Sequence, residues 1–293
     1  MTLAIQTAIV MVVLLIIMLA MGVSISISVG LSSAVAMLCM LPAQVSFVTS
    51  AQRLFAGANS FSLIAIPFFI LAGNLMNNGG IAERLVNVAK AIAGRMPGAL
   101  AQTNIIANML FGAISGSGAA AAAAMGGTIG PMAEKEGYDP VYSAAVNIAS
   151  APTGMLIPPS NLMIVYSTIA GSVSVAALFT AGYLPGILWG IIVMVIAGIT
   201  AKKKGYVIKE TVSGKQALKA ILDAIPSLLL IVIIIGGVLG GGFTATEASA
   251  VAVAHATILG LLYKGFAPED LPRLNLESAQ MNGIINPMIG LSS

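Results

Sequence analysis

Residues 96–133, MPGALAQTNIIANMLFGAISGSGAAAAAAMGGTIGPMA, contain no Asp, Glu, Lys, Arg or His. A single helix of this length would run ~57 Å, nearly twice a hydrocarbon core about 30 Å thick. The stretch must fold back on itself. Its only polar, glycine-rich interruption, Ser115-Gly116-Ser117-Gly118, lies close to its middle. Limbs of roughly 19 and 15 residues are short for two full crossings and suit a re-entrant hairpin. The second limb opens on a run of alanines, 119–124, followed by Met125-Gly126-Gly127. Lipid-facing helices favour Leu, Ile and Phe, whereas small side chains let backbones pack closely. The hairpin is therefore expected to lie buried in protein.

The sequence around it is equally short of charge. Only 8% of the 293 residues are charged and 58% are apolar, against about 25% charged in soluble domains. No charged side chain precedes Arg53, and 54–82, 140–201 and 224–246 are bare as well. Stretches of about 20 such residues cross a bilayer, so the fold class is an all-α polytopic helical bundle whose solvent is the lipid bilayer. The net charge of +3 then speaks of topology rather than of acidic partners or nucleic acid. One cysteine, Cys39, allows neither a disulfide framework nor a thiolate metal site. No P-loop pattern occurs, which excludes the ATP-hydrolysing part of a pump. The run 3–21 lacks a basic n-region and is long for a signal h-region; it reads as a retained span.

Outward from the hairpin, the chain divides at its punctuation. Spans are expected at 3–22, 24–41 and 61–76, with an amphipathic interfacial piece at 45–58 and a helix stop at Asn77-Asn78-Gly79-Gly80. Residues 81–95 mix Glu83, Arg84, Lys90 and Arg95 with apolar positions, the pattern of a surface helix. After the connector 134–139 comes a broken span, 141–170, interrupted by Pro152, Gly154, Pro158 and Pro159. Further spans follow at 175–200, 225–239 and 245–262, with a last apolar stretch from about Gln280. Segment 1–95 is read as scaffold helices and 96–170 as transport-domain material. Residues 171–223 form a helix and a basic cytoplasmic linker, and 224–293 begin a second, incomplete repeat. The loops 77–95, 134–139 and 201–220 should share one side. The two longer hold nine of the thirteen Lys and Arg, which makes that side cytoplasmic. A second half of opposite direction is the arrangement of an inverted-repeat transporter.

Non-helical backbone at membrane depth is costly unless it lines a cavity. Two such interruptions stand close in sequence, the tip 115–118 and the break 150–161. Free carbonyls and the hydroxyls of Ser115, Ser117, Ser150 and Thr153, with the backbone of Gly116, Gly118 and Gly154, are hard oxygen ligands that suit a sodium ion. N–H groups where helices restart, near Gly118 and Ser160, suit the carboxylate of a substrate, and Pro158, Pro159, Ser160 and Asn161 are the candidate substrate-binding segment. A Ser-Gly-Ser-Gly tract by itself is usually a turn, and prolines often kink membrane helices without binding anything; it is their conjunction that points to a site. His255 and Trp189 read as packing or interfacial residues, Lys202, Lys203 and Lys204 as a topology anchor, and the methionines as core filler.

Several motifs also carry a resemblance. Ile66-Pro67-Phe68-Phe69-Ile70-Leu71-Ala72-Gly73-Asn74-Leu75-Met76 resembles a signature stretch of the large membrane subunit of tripartite ATP-independent periplasmic (TRAP) transporters, the DctM family. So do the segments 112–120 and 152–160, and Phe243-Thr244-Ala245-Thr246-Glu247-Ala248. The resemblance covers nearly the whole chain. It implies sodium-driven uptake of organic acids such as C4-dicarboxylates or sialic acid across the bacterial inner membrane, with no organic cofactor. It further implies a periplasmic substrate-binding protein and a small TRAP membrane subunit as partners. An elevator mechanism would operate, and the first sodium site would be formed by 115–118 and 150–154. Members of that family continue past the point matching Ser293 with a second hairpin and second broken helix, so residues 1–293 alone are expected not to transport. Other readings are a one-component sodium–carboxylate symporter or a non-transporting membrane scaffold. An intramembrane enzyme is disfavoured, since the helices lack clustered His, Asp or Glu.

Overall fold

The computed structural model describes residues 3–170, 173–206 and 213–292, with side chains for all of these except 58 and 284–292. Positions 207–212 of the expected basic linker and Ser293 lie outside the described residues. Described residues are helical or irregular, with no strand among them. Among the described residues, five helices are long and apolar enough to cross a membrane, and six if a bent pair counts as one span. The protein is a multi-pass, all-α membrane protein.

Two compact units emerge. The first comprises Met1–Leu63 with Ala279–Ser293. Its helices α1 (Leu3–Ala20), α2 (Ile25–Met40) and α3 (Ala43–Ala58) pack in sequence, α1 on α2 and α2 on α3. Along α1 the side chains of Ile9, Val12, Val13, Ile16 and Ile17 are exposed, an arrangement that suits lipid and not water.

The second unit is Ile64–Ser278. It contains α4 (Ala65–Asn78), α5 (Ile81–Ala93), α6 (Ala99–Ser115), α7 (Gly118–Lys135), α8 (Pro140–Ser150), α9 (Thr153–Leu156) and α10 (Asn161–Ala170). Next are α11 (Val175–Lys203), α12 (Gly214–Leu239), α13 (Ala245–Leu262) and the start of α14 (Leu271–Ser292). Helices α4 and α5, expected with the scaffold segment 1–95, thus cluster with the hairpin. Helix α5 turns its apolar stripe inward, burying Ile81, Leu85, Val86 and Val88, the behaviour of an amphipathic helix with one covered face. Helix α4 packs along α13 and α5 along α6.

Two helices start earlier than their composition predicts. Helix α12 begins at Gly214, not near Ile225, because Ser213 and Gln216 form a reciprocal capping box. It carries Lys215, Lys219 and Asp223 on its first turns and runs unbroken across the expected boundary at 223–224. Helix α14 likewise begins at Leu271 rather than near Gln280. One end of the second unit gathers the hairpin base and the end of α11. Lys204 Nζ lies 2.6 Å from Asp139 Oδ2, the N–H of Asp139 donates to Tyr206 Oη at 3.0 Å, and Tyr142 Oη donates to the Ala197 carbonyl at 2.8 Å.

Candidate functional site

The hairpin turns in two residues, for a local reason. Gly116 ends α6 in the left-handed region, φ +65°, with its N–H on the Gly112 carbonyl at 2.9 Å, a common way of ending a helix that favours glycine. Ser117 starts α7 at once, its Oγ accepting from the Ala120 N–H at 3.3 Å. Ser115 is buried, and its Oγ accepts from the Ser117 N–H at 3.4 Å.

Facing this tip is the break. Helix α8 stops at Ser150, a single turn, α9, follows Pro152, and Pro158 and Pro159 withhold two backbone donors before α10 restarts. The two arms of the broken helix are bent by 49°. Thr153, fully buried, donates from Oγ1 to the Ser150 carbonyl at 2.7 Å, leaving the hydroxyl's lone pairs free to accept. Ser160 bridges the gap, donating to the Met155 carbonyl at 2.6 Å and accepting from the Met163 N–H at 3.4 Å.

Tip and break touch. The Asn161 N–H donates to the Gly116 carbonyl at 3.1 Å. A Cβ on Gly116 would sit 2.9 Å from the Pro159 carbonyl oxygen, and one on Gly118 would sit 2.9 Å from that of Ala151. Gly112 and Gly154 lie backbone against backbone, so that a methyl group on Gly112 would be driven into Gly154 Cα. Main-chain carbonyls thus stand at the contact, that of Pro159 against Gly116, that of Ala151 against Gly118 and that of Ser117 against Gly154. The Oδ1 of Asn161 is buried with no hydrogen-bond partner, an acceptor in want of a donor or a cation.

The expected site residues do not all face one point. Ser115, Gly116, Ser117, Gly118, Thr153, Gly154, Pro159 and Asn161 lie at the junction. Pro158 is buried in the break, and the Ser160 side chain serves its own helix start. Ser150 arrives with its backbone only. Its Oγ turns away into a polar cluster, donating to the Val146 carbonyl at 2.8 Å and accepting from Asn108 Nδ2 at 2.7 Å.

That cluster escaped the sequence reading. Asn108 Nδ2 also reaches Asn104 Oδ1 at 2.9 Å and Asn147 Oδ1 at 3.1 Å, and Asn147 Nδ2 donates to the Ala122 carbonyl at 2.8 Å. Three asparagines thus tie both limbs of the hairpin to α8. The signal was Asn104 and Asn108 at a spacing of four, on one face of a helix bare of charge. Trp189 Nε1 donates to the Ala149 carbonyl at 2.8 Å, just ahead of the proline that breaks the ladder, so α11 buttresses the break. His255 Nε2 lies 2.9 Å from the Pro226 carbonyl, a contact between α12 and α13 that fits a packing role. Outside the bilayer segments, the Lys204 ammonium hydrogen-bonded to Asp139 holds that carboxyl below its usual range and raises the lysine in return.

Comparison with known proteins adds the family. The model of the tripartite ATP-independent periplasmic transporter, DctM component, matches residues 12–291. The chain belongs to the DctM family. Among its relatives, the uncharacterized protein YgiK of Salmonella typhimurium is 50% identical over 89% of this chain and 60% of its own length. The C4-dicarboxylate TRAP transporter large permease protein DctM of Rhodobacter capsulatus is 37% identical over 83% of this chain and 58% of its own. The sialic acid TRAP transporter large permease protein SiaM of Vibrio cholerae is 36% identical over 82% and 56%. The last two are named as transport permeases and not as enzymes, in keeping with the class read from the sequence. The chain spans 52–60% of the length of these relatives and of a DctM permease from Vibrio cholerae.

Proposed function

We propose that this chain is the permease part of a sodium-coupled, binding-protein-dependent secondary transporter that imports small organic acids across the bacterial inner membrane. A small TRAP membrane subunit and a periplasmic substrate-binding protein are its partners, and the unit 64–278 carries the cation in an elevator-type movement. The observation that supports this most is the meeting of two unwound main-chain segments in a uncharged, buried place, with the partnerless Asn161 Oδ1 beside them. Sodium takes hard oxygen ligands, and Thr153 Oγ1 with the carbonyls at 115–118 and 150–154 would supply them without an acidic residue. The relatives named for C4-dicarboxylate and sialic acid transport give the class of acid. The carboxylate of the substrate would meet the helix start at Pro158, Pro159, Ser160 and Asn161.

The test is uptake of a C4-dicarboxylate or sialic acid by membrane vesicles holding the complex that contains this chain, driven by an imposed sodium gradient with binding protein present. The expected result is sodium-dependent uptake whose sodium requirement rises in Thr153→Ala. An unchanged sodium response in that variant counts against the site. Uptake that persists without binding protein would favour a one-component sodium–carboxylate symporter instead.

A further inference from the structure

Trp189 is the middle residue of α11 (Val175–Lys203), a helix long and apolar enough to cross a membrane. It therefore stands near the centre of the hydrocarbon, away from the two interfaces where tryptophan collects. Trp189 is 45% exposed, among exposed Leu188, Ile191 and Ile192. Its one polar atom is nevertheless turned onto protein, Nε1 donating to the Ala149 carbonyl at 2.8 Å. At that depth no water competes for the carbonyl, and leaving it unpaired is costly.

Two side chains take the carbonyls just ahead of the break. In a continuous helix the Ala149 and Ser150 carbonyls would accept from the N–H groups of Thr153 and Gly154. Here the Gly154 N–H goes to the Ala151 carbonyl at 3.0 Å and that of Met155 to Pro152 at 2.9 Å, the tighter spacing of three. The Ser150 carbonyl receives the Thr153 hydroxyl at 2.7 Å, and the Ala149 carbonyl receives the indole. The same face of α11 meets the far side of the break, since Gly182, Gly186 and Trp189 follow one another at spacings of four and three. A Cβ on Gly182 would lie 2.5 Å from the Leu156 carbonyl oxygen, and one on Gly186 would lie 2.6 Å from Ile157 Cγ1 and 3.1 Å from the Ile157 nitrogen. Small residues let α11 approach the main chain that closely. Thr153 thus lies between two points of attachment to one helix, at 149 and at 156–157.

We propose that Trp189 is a positioning residue for the cation: through its bond to Ala149, α11 holds the Ser150 carbonyl and Thr153 at the opening that sodium requires. The inference rests on the sodium reading of tip and break and adds to it a residue that touches neither the ion nor the tip. Without the indole N–H, the Ala149 carbonyl is left to the Thr153 N–H, its partner in a continuous helix. Closing that turn shifts Thr153 Oγ1 with its backbone and misplaces a ligand.

The experiment compares Trp189→Phe with Trp189→His in the purified whole complex, by equilibrium binding of radiolabelled sodium, with melting temperatures read alongside to check assembly. Phenylalanine keeps a large ring and loses the donor. Histidine loses bulk, but its Nε2 stands two bonds from Cγ, as the indole Nε1 does, and donates in the neutral ring above the imidazole pKa. The expected result is sodium affinity weakened several-fold in Trp189→Phe and returned close to wild type in Trp189→His. A role in packing alone gives the reverse order, because phenylalanine fills the space better. Unchanged affinity in Trp189→Phe, or a histidine variant that binds no better than the phenylalanine one, overturns the inference while Thr153→Ala still weakens binding. Absence of saturable sodium binding in the wild type would instead overturn the reading of tip and break itself, so the two failures are separable.

Discussion

The N–H of Asn161 donates to the carbonyl of Gly116 at 3.1 Å, so the helix restarting after the break is hydrogen-bonded to the turn of the hairpin. The bond is possible only because Gly116 has no side chain, for a Cβ would lie 3.3 Å from that same nitrogen and 2.9 Å from the Pro159 oxygen.

Gly116→Ala should separate tip from break. A left-handed alanine costs roughly 1–2 kcal/mol by itself, and the added methyl pushes on backbone that cannot yield. The expected outcome is a lowered melting temperature of the purified complex and a larger loss of uptake than of protein level. Gly130→Ala is the matched control: it meets no atom within 4 Å and should gain about 1 kcal/mol of helix preference.

Gly112→Ala tests the closest approach of α6 to α9. Overpacking of this kind costs about 1–3 kcal/mol, and here the opposing atom is Gly154 Cα. The variant should be destabilised more than Gly130→Ala by thermal melting; equal melting points would mean that the two backbones do not touch.

Asn108→Ala removes the hub of the asparagine cluster. Each buried polar group left unpaired costs about 1–3 kcal/mol, and the two hydrogens of Asn108 Nδ2 are shared among Asn104, Asn147 and Ser150, which all face it. Stability should fall by more than for Asn104→Ala, which vacates a 2.9 Å contact with Asn108 and a longer one, 3.4 Å, with Ser150 Oγ. A double-mutant cycle between Asn108 and Asn147 should return clear coupling.

The Asp139–Lys204 pair predicts a pH profile with two edges. Asp139 is held below its ordinary range by the hydrogen bond from Lys204, so its contribution is complete above the unfolded carboxylate pKa and is lost as pH falls through the lower folded value. Lys204 is raised by the same bond, so its contribution is complete below the unfolded ammonium pKa and is lost as pH rises through the higher folded value. Both side chains are about 40% exposed, at 41% and 39%, and the effect is small and screened by salt. Asp139→Asn, which can still cap α8, should flatten the acid edge of a melting-temperature profile.

The large features of the fold were legible because each has a cause written in a few residues. Residues 96–133 exceed a membrane's thickness and are cut once, and the hairpin has limbs Ala99–Ser115 and Gly118–Lys135. Its second limb is longer than the charge-free stretch indicates because Glu134 and Lys135 complete the last turn. Pro152, Pro158 and Pro159 fix the break. What composition hid was the start of α12, where a capping box outweighs three charged residues, and the grouping of α4 and α5 with the hairpin, which depends on packing between distant segments. At the site, the glycines and hydroxyls were visible as a set, but not which way Ser150 turns. Its orientation is decided by Asn108 on another helix, and neutral amides attract no notice in a reading led by charge.

Equilibrium binding of radiolabelled sodium to the purified complex, without organic acid, tests the central claim that uncharged oxygens at the junction of tip and break hold a cation. Saturable binding is predicted in the wild type, weakened about tenfold in Thr153→Ala, which corresponds to ~1.4 kcal/mol for one ligand lost. Gly116→Ala should weaken it as well. Sodium affinity unaltered in both variants would contradict the account.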